Sequence, residues 1–171
     1  MKVHVGLIGI ATLIVLTVAG LVFAGEPPRP RVPPVPSIEG TYQLVSRRTP
    51  DGTMLRPPEV MGLFTYTKTH RNFNILQRDA AGTFRSFSVV STYTLTATAY
   101  TETLLFSLRT EQSGGKDPVY DLSGETRSAP VMVEGGRIQF KAPFEPPTFV
   151  FEGNTLTATL DGRVDTWEKV E

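Results

Sequence analysis

Strict alternation of apolar and polar residues dominates the chain from Ile38 onward and limits its fold more than any other feature. In the segment Thr155–Leu160, leucine and alanine alternate with threonine. Successive side chains of a β-strand point to opposite faces, so a period of two is typical of a half-buried strand. No body segment shows a convincing helical period, although a short helix between Pro57 and Met61 is a possible exception. The pattern predicts an all-β domain.

Turn signals divide this alternating region into short strands. Pro50-Asp51-Gly52, Glu152-Gly153-Asn154 and Asp161-Gly162 are turn or tight-hairpin sequences. Short antiparallel strands with one apolar face either close into a barrel or pair with a second sheet. Closure removes exposed edges, and about 130 residues suits a small up-and-down barrel. We therefore predict such a β-barrel over residues 38–171. The predicted strands cover 40–48, 62–69, 71–78, 83–95, 99–109, 119–124, 130–133, 137–142, 148–151, 155–160 and 163–170.

The N-terminal segment differs from the body. An uncharged apolar run ends at Val22-Phe23-Ala24, which predicts a secretory signal over residues 1–24. The protein is then exported, periplasmic or secreted. An uncleaved anchor is the alternative, because about 20 apolar residues can span a bilayer. Residues 25–37 contain six prolines between positions 27 and 36, which favour an extended linker over a ligand for aromatic grooves.

Composition excludes several kinds of function. Lys plus Arg and Asp plus Glu are both 17, so the chain lacks the basic surplus of nucleic-acid-binding proteins. The absence of cysteine excludes disulfides, thiol nucleophiles and thiolate metal ligands. Only His4 and His70 are present, so no His-rich metal site is expected. Phosphate-binding glycine loops and nucleophile elbows are also missing. We predict a non-enzyme without cofactor or metal. His70 has two interpretations, a general base or an exposed histidine at a turn.

Three sequence segments resemble one known family. They are 38–46 (IEGTYQLVS), 92–103 with its Tyr93 and Tyr100, and 156–170, which ends in TWEKV. Together they resemble the bacterial lipocalin-like family, a branch of the calycin-type β-barrels. Tyr42 stands where that family has tryptophan, and Lys169 where an arginine packs across it; lysine's methylenes can still cover the tyrosine. The resemblance implies a closed barrel with an interior for a small apolar ligand.

The candidate site lies on predicted inward faces. Tyr100, Leu104 and Phe106 share one face of their strand with Glu102, where an unpaired carboxylate would be costly. Glu102 is either a polar anchor in a ligand cavity, a paired carboxylate at the barrel mouth, or a sign of misassigned register. Tyrosines could line a pocket or be plain core. The predicted ligand contacts are Tyr66, Tyr93, Tyr100, Glu102, Leu104 and Phe106.

Three other features have competing interpretations. The loop 142–147 carries Phe144 between prolines, either as a stiff lip or partner contact or tucked under the rim. Arg47, Arg48 and Arg56 could form a small anion site or be solvated strand-end residues. Trp167 is expected to pack against the first strand.

These observations favour a binding function over two alternatives. We expect an exported lipocalin-like protein that binds a small hydrophobic molecule in the barrel interior. The first alternative is a non-catalytic structural or interaction protein of the cell envelope with a filled barrel. An enzyme is the least favoured. The volume of an interior cavity distinguishes the first two.

Overall fold

The structure is a computed structural model and describes residues 37–111 and 117–170. The predicted signal at residues 1–24 and the linker, apart from Ser37, lie outside the described residues. Every regular element described is a β-strand, and none of the described residues belongs to a helix long and apolar enough to cross a membrane. The strands are β1 (Gly40–Arg48), β2 (Met54–Leu55), β3 (Val60–Tyr66), β4 (His70–Arg78), β5 (Phe84–Leu95), β6 (Ala99–Glu111), β7 (Val119–Asp121), β8 (Thr126–Glu134), β9 (Arg137–Lys141), β10 (Thr148–Glu152), β11 (Thr155–Leu160) and β12 (Arg163–Lys169).

Ten of these strands form a closed antiparallel β-barrel. Their order around the barrel is β12-β11-β10-β9-β8-β6-β5-β4-β3-β1, and β1 pairs with β12 to complete the circle. The short β2 pairs with β1, and β7 pairs with the second half of β6. The predicted all-β antiparallel barrel is confirmed, and its architecture is compatible with a calycin-like fold.

The sequence pattern located most strands, and the misses have local causes. Strands β1 and β11 have the predicted bounds. The segment before β3 forms a turn, in which the amides of Glu59 and Val60 donate to the Arg56 carbonyl, so the helix considered there is absent. Strand β8 begins at Thr126 instead of position 130, because its first residues are exposed on both faces and show no alternation.

One end of the barrel interior is filled by aromatic rings, and we call it the tyrosine end. Tyr100 stacks on Phe140 with ring centroids 4.2 Å apart and on Tyr93 at 5.6 Å. Tyr66 contacts Tyr93 and Phe151 edge to face. Such ring pairs stabilise the fold by more than the apolar area they bury, so this end is a packed core. The alternative interpretation of the tyrosines as core is confirmed for these side chains.

The first and last strands close the barrel as the resemblance implied. Tyr42 pairs with Lys169, whose Nζ lies 5.9 Å from the tyrosine ring centroid. Trp167 lies opposite Leu44 on β1 and is buried, which confirms its expected packing against the first strand. The ammonium group of Lys169 therefore lies within cation–π range of the tyrosine ring at this position.

A β-bulge in β6 corrects the predicted inward face. Ser91 pairs with Leu104 and Val90 with Phe106, so Leu105 is an extra residue without a partner. An extra residue reverses the alternation beyond it. Phe106 is consequently 40% exposed, and its predicted inward orientation was wrong. Past the bulge, Arg109 pairs with Phe87 and lines the cavity described below, where its side chain remains exposed.

Gly62 is required by close packing. A Cβ added there would lie 2.6 Å from Trp167 Cη2 and 2.8 Å from the carbonyl oxygen of Asn74. We expect Gly62→Ala to lower the free energy of unfolding by about 1–3 kcal/mol, because overpacking displaces the indole. Urea titration and the near-ultraviolet circular dichroism of the sole tryptophan would measure both effects.

Gly52→Ala is the control for this prediction. It adds a methyl group in open space at φ 89°, so it strains only the backbone. The tryptophan signal should be unchanged in this variant. An unchanged signal and unchanged stability in Gly62→Ala would contradict the described packing.

Candidate functional site

The opposite end of the interior contains a cavity of about 290 Å³. Aromatic side chains line it from β3, β4, β5, β10 and β12: Phe64, Phe73, Phe87, Phe149 and Trp167. Four arginines also line it, namely Arg47, Arg85, Arg109 and Arg163, and we call this part the arginine end. Its volume is near the lower limit for small-molecule sites, and an apolar lining with a few polar groups is typical of them.

Two of the four arginines are paired with carboxylates. Arg47 donates to Asp165 through Nε and Nη2, both at 2.6 Å, and through Nη1 to the side-chain oxygen of Gln77 at 2.6 Å. Both members of this bidentate pair are buried. Arg85 and Glu111 form a more exposed pair, with Nη2 and Oε1 3.0 Å apart. The bidentate pair fixes the wall of the cavity, because its geometry is rigid and its charges are mutually neutralised.

The other two arginines have weaker partners. Nε of Arg163 lies 3.9 Å from Asp165 Oδ2, and this buried atom has no hydrogen-bond acceptor among the described residues. Burial, and then the charge of Arg47, lower the pKa of Arg163. Arg109 stacks on Phe87, with Cζ 4.9 Å from the ring centroid. No carboxylate of the described residues pairs with Arg109.

Beneath the cavity, Arg71 forms a buried ion cluster with two glutamates. Its Nη1 donates to Glu102 Oε1 at 2.6 Å, and its Nη2 donates to both carboxylate oxygens of Glu145 at 2.6 and 2.8 Å. The Ser91 hydroxyl donates to Glu102 Oε1 at 2.6 Å. We call Arg71, Glu102 and Glu145 the Arg71 cluster. It joins β4, β6 and the loop before β10 across the barrel interior.

Three aromatic rings surround the Arg71 guanidinium. Its Cζ lies 5.1 Å from the ring centroid of Phe64 and 5.8 Å from those of Phe73 and Phe149. These rings also line the cavity, so the same side chains bound the ion cluster and the cavity floor. Cation–π contacts add to the ion pairs where water is excluded. Arg71 therefore holds the floor of the cavity in place.

The Arg71 cluster contains one cation and two carboxyl groups. Burial raises the pKa of Glu145, and the guanidinium of Arg71 only partly offsets this. Burial lowers the pKa of Arg71, but Glu145 and its other neighbours outweigh this and hold it well above its usual value. Desolvation likewise raises the pKa values of Tyr66 and Tyr100, and raises that of Tyr93 to about 12. These tyrosines are neutral at physiological pH and cannot act as bases there.

Glu145 is supplied by the loop that the sequence singled out for Phe144. The amide of Ala142 donates to the Pro147 carbonyl at 3.0 Å, which closes the loop. Phe144 packs under Arg127, 4.7 Å from its Cζ, and joins the core as a partly buried residue. The tucked interpretation of Phe144 is confirmed, whereas Glu145 was missed. The sequence signal that could have identified Glu145 is a carboxylate flanked by Phe144 and by prolines in a loop that was expected to lie against the barrel.

The six predicted ligand contacts do not meet at the cavity. None of Tyr66, Tyr93, Tyr100, Glu102, Leu104 and Phe106 is among the described residues that line it. Glu102 is a paired carboxylate, as one alternative held, but it lies inside the barrel and not at its mouth. The three tyrosines and Leu104 belong to the packed core. Their role as ligand contacts stays a prediction.

The remaining predicted residues are dispersed. His70 is exposed at the first position of β4, directly after the turn, where its Nδ1 lies 2.8 Å from the Thr69 hydroxyl. Arg47 points inward whereas Arg48 and Arg56 are exposed, so the alternative of a shared anion site is wrong and the solvated strand-end alternative holds for Arg48 and Arg56. Arg47 and Arg48 are neighbours on β1, so their side chains point to opposite faces of the strand. Within residues 37–111 and 117–170, no group of three potential metal ligands occurs.

Comparison with known proteins does not assign the chain. No family model matches it. No curated protein matches it. No solved structure matches it. Conclusions about its function therefore depend on the geometry of the site.

The Arg71 cluster leads to a stability prediction. Arg71→Met leaves two buried carboxyl groups without their cation, so we expect a loss of about 3–5 kcal/mol in the free energy of unfolding. The combined variant Arg71→Met/Glu102→Gln/Glu145→Gln should recover part of this loss, because it removes the unpaired charges. Urea denaturation would measure both, with exposed Arg137→Gln as control. A loss below 1 kcal/mol for Arg71→Met would contradict the assigned role.

A second prediction concerns pH. The folded-state pKa of Glu145 is raised, so its protonated form stabilises the fold, and this contribution is lost as pH rises through the folded pKa. Glu145→Gln imitates the protonated carboxyl group. Measured by urea denaturation between pH 4 and 8, wild type should lose stability relative to this variant with increasing pH. Exposed Arg137→Gln leaves Glu145 and its surroundings unchanged, so it should parallel wild type; the opposite slope for Glu145→Gln would refute the prediction.

Proposed function

We propose that the protein binds a small, largely apolar molecule in the cavity at the arginine end. The observation that carries this proposal is an interior space of about 290 Å³ whose floor is aromatic. An engineered apolar cavity of roughly 150 Å³ takes up benzene, so a cavity of this size suits a body of about twelve carbon atoms. Burying apolar surface contributes about 25 cal/mol per Å², which favours such a ligand.

The rigidity of the cavity walls supports binding. The Arg47–Asp165 pair and the caged Arg71 hold residues from β1, β12, β4 and the loop before β10. A preformed site avoids the entropy cost of ordering side chains when the ligand binds. The arrangement suits a carrier or sensor, and we propose no catalytic reaction for it.

We further propose an exported location and membership of the lipocalin-like group. The predicted signal over residues 1–24 supports export. The closed antiparallel barrel and the Tyr42–Lys169 contact support the group.

The second candidate function is a structural or interaction protein of the cell envelope. The solid packing of the tyrosine end favours it, because that part of the interior is filled by core side chains. Exposed apolar side chains near the β6 bulge also favour it: Leu105, Phe106, Val119, Tyr120 and Leu122. Exposed apolar patches commonly mark contact surfaces. Ligand titration separates this candidate from the first.

Trp167 provides a direct test, because it is the sole tryptophan and lines the cavity. Titration with decanol should change its fluorescence in a saturable manner with one site per chain. Ala158→Leu narrows the cavity and should weaken binding about tenfold or more. Ala129→Leu is the matched control, because Ala129 is also buried but lies opposite Tyr100 at the other end.

Both variants need an unchanged far-ultraviolet spectrum before their affinities are compared. Equal decanol affinity in wild type and Ala158→Leu would place binding elsewhere and refute the proposal. Absence of any saturable signal with decanol and with decanoate would do the same and favour the second candidate.

A further inference from the structure

The cavity at the arginine end carries more positive than negative charge. Its described lining contains four arginines and three carboxylates, Glu111, Glu145 and Asp165. Glu145 is hydrogen-bonded to Arg71, which lies below the lining and also pairs with Glu102. Counting Arg71 and Glu102 with the described lining gives five arginines against four carboxylates, an excess of one positive charge. The excess is local, since the whole chain has zero formal charge.

The excess is centred on Arg163 and Arg109. Asp165 is bound in bidentate fashion by Arg47, so at 3.9 Å it gives Arg163 no hydrogen bond. The buried Nε of Arg163 therefore keeps an unused donor beside the cavity. A buried donor without an acceptor costs free energy, and an acceptor that arrives with a ligand would recover it.

Arg109 also has unused N–H donors beside the cavity, although it is held by an aromatic ring. Its guanidinium lies over Phe87, itself a lining residue. Stacking uses the flat face of the guanidinium, whereas its N–H groups point outward in the plane. They are free to bind a planar anion while the ring below contacts the apolar part of the same molecule.

We propose that the natural ligand is an amphipathic monocarboxylate whose carboxylate is bound by Arg163 and Arg109 and whose apolar body lies on the aromatic floor. This inference rests on the proposed function, since it names the class of molecule that the cavity takes. Arginine binds carboxylates with a matching planar geometry, and hydrogen bonds between two charged groups are stronger than those between neutral ones. An apolar cation would meet a repulsive field at the same place.

Three probes with the same ten-carbon chain test the charge preference: decanoate, decanol and decyltrimethylammonium. Trp167 fluorescence would report their affinities at pH 8 and low salt. We expect decanoate to bind about tenfold or more tightly than decanol, and the cation to bind weakest. Raising the salt concentration should weaken the binding of decanoate but not that of decanol, because salt screens only the charged interaction.

Substitutions locate the carboxylate. Arg163→Gln and Arg109→Gln should each lower the affinity for decanoate about tenfold and leave the affinity for decanol unchanged. Arg163→Lys retains the charge without the planar group, so it should fall between wild type and Arg163→Gln. Exposed Arg137→Gln is the matched control, because it removes an arginine outside the cavity.

The outcomes separate this inference from the proposed function. If decanol and decanoate bind equally and both are weakened by Ala158→Leu, the cavity binds ligands and the carboxylate inference fails. If decanoate is preferred but neither arginine substitution affects it, the inference also fails. If neither probe binds, or Ala158→Leu has no effect on either, the proposed function fails.

Discussion

The interior depends on the ion pairs of one buried arginine. Arg71 donates to Glu102 on β6 and to Glu145 on the loop before β10, and so joins distant parts of the barrel. Removing a partner from such a buried network is far more costly than losing an exposed ion pair. The cluster also divides the interior, since the stacked tyrosines lie on one side of it and the cavity on the other.

The Arg71 cluster determines the shape of the cavity floor. Phe64, Phe73 and Phe149 are held against the guanidinium by cation–π contacts, and their other surfaces face the cavity. Glu145 links the floor to the loop, since its carboxylate reaches Arg71 from that loop. A ligand in the cavity would contact a surface whose side chains have few alternative positions, which reduces the entropy lost on binding.

Local alternation predicted the barrel but not the site. Period-two patterns gave strands such as β1 and β11 with their bounds, because each strand buries one face. They failed at Phe106, since a bulge depends on the register of the partner strand and leaves no clear local signal. They placed Glu102 inside but could not show its partner, because Arg71 lies 31 positions earlier. The arginine end was missed for the same reason, since its four arginines come from separate strands.

The different contents of the two ends explain why only one has space. Neutral tyrosine and phenylalanine rings attract one another through stacked and edge-to-face contacts, so they converge until the tyrosine end is filled. Guanidinium groups repel one another, and burial, followed by the charge of Arg47, lowers the pKa of Arg163. The four arginines come from separate strands and leave the cavity between themselves and the aromatic floor. An occupant that brings one negative charge and an apolar body would satisfy the unused donor of Arg163 and cover the aromatic floor, which is why we propose a ligand of this class.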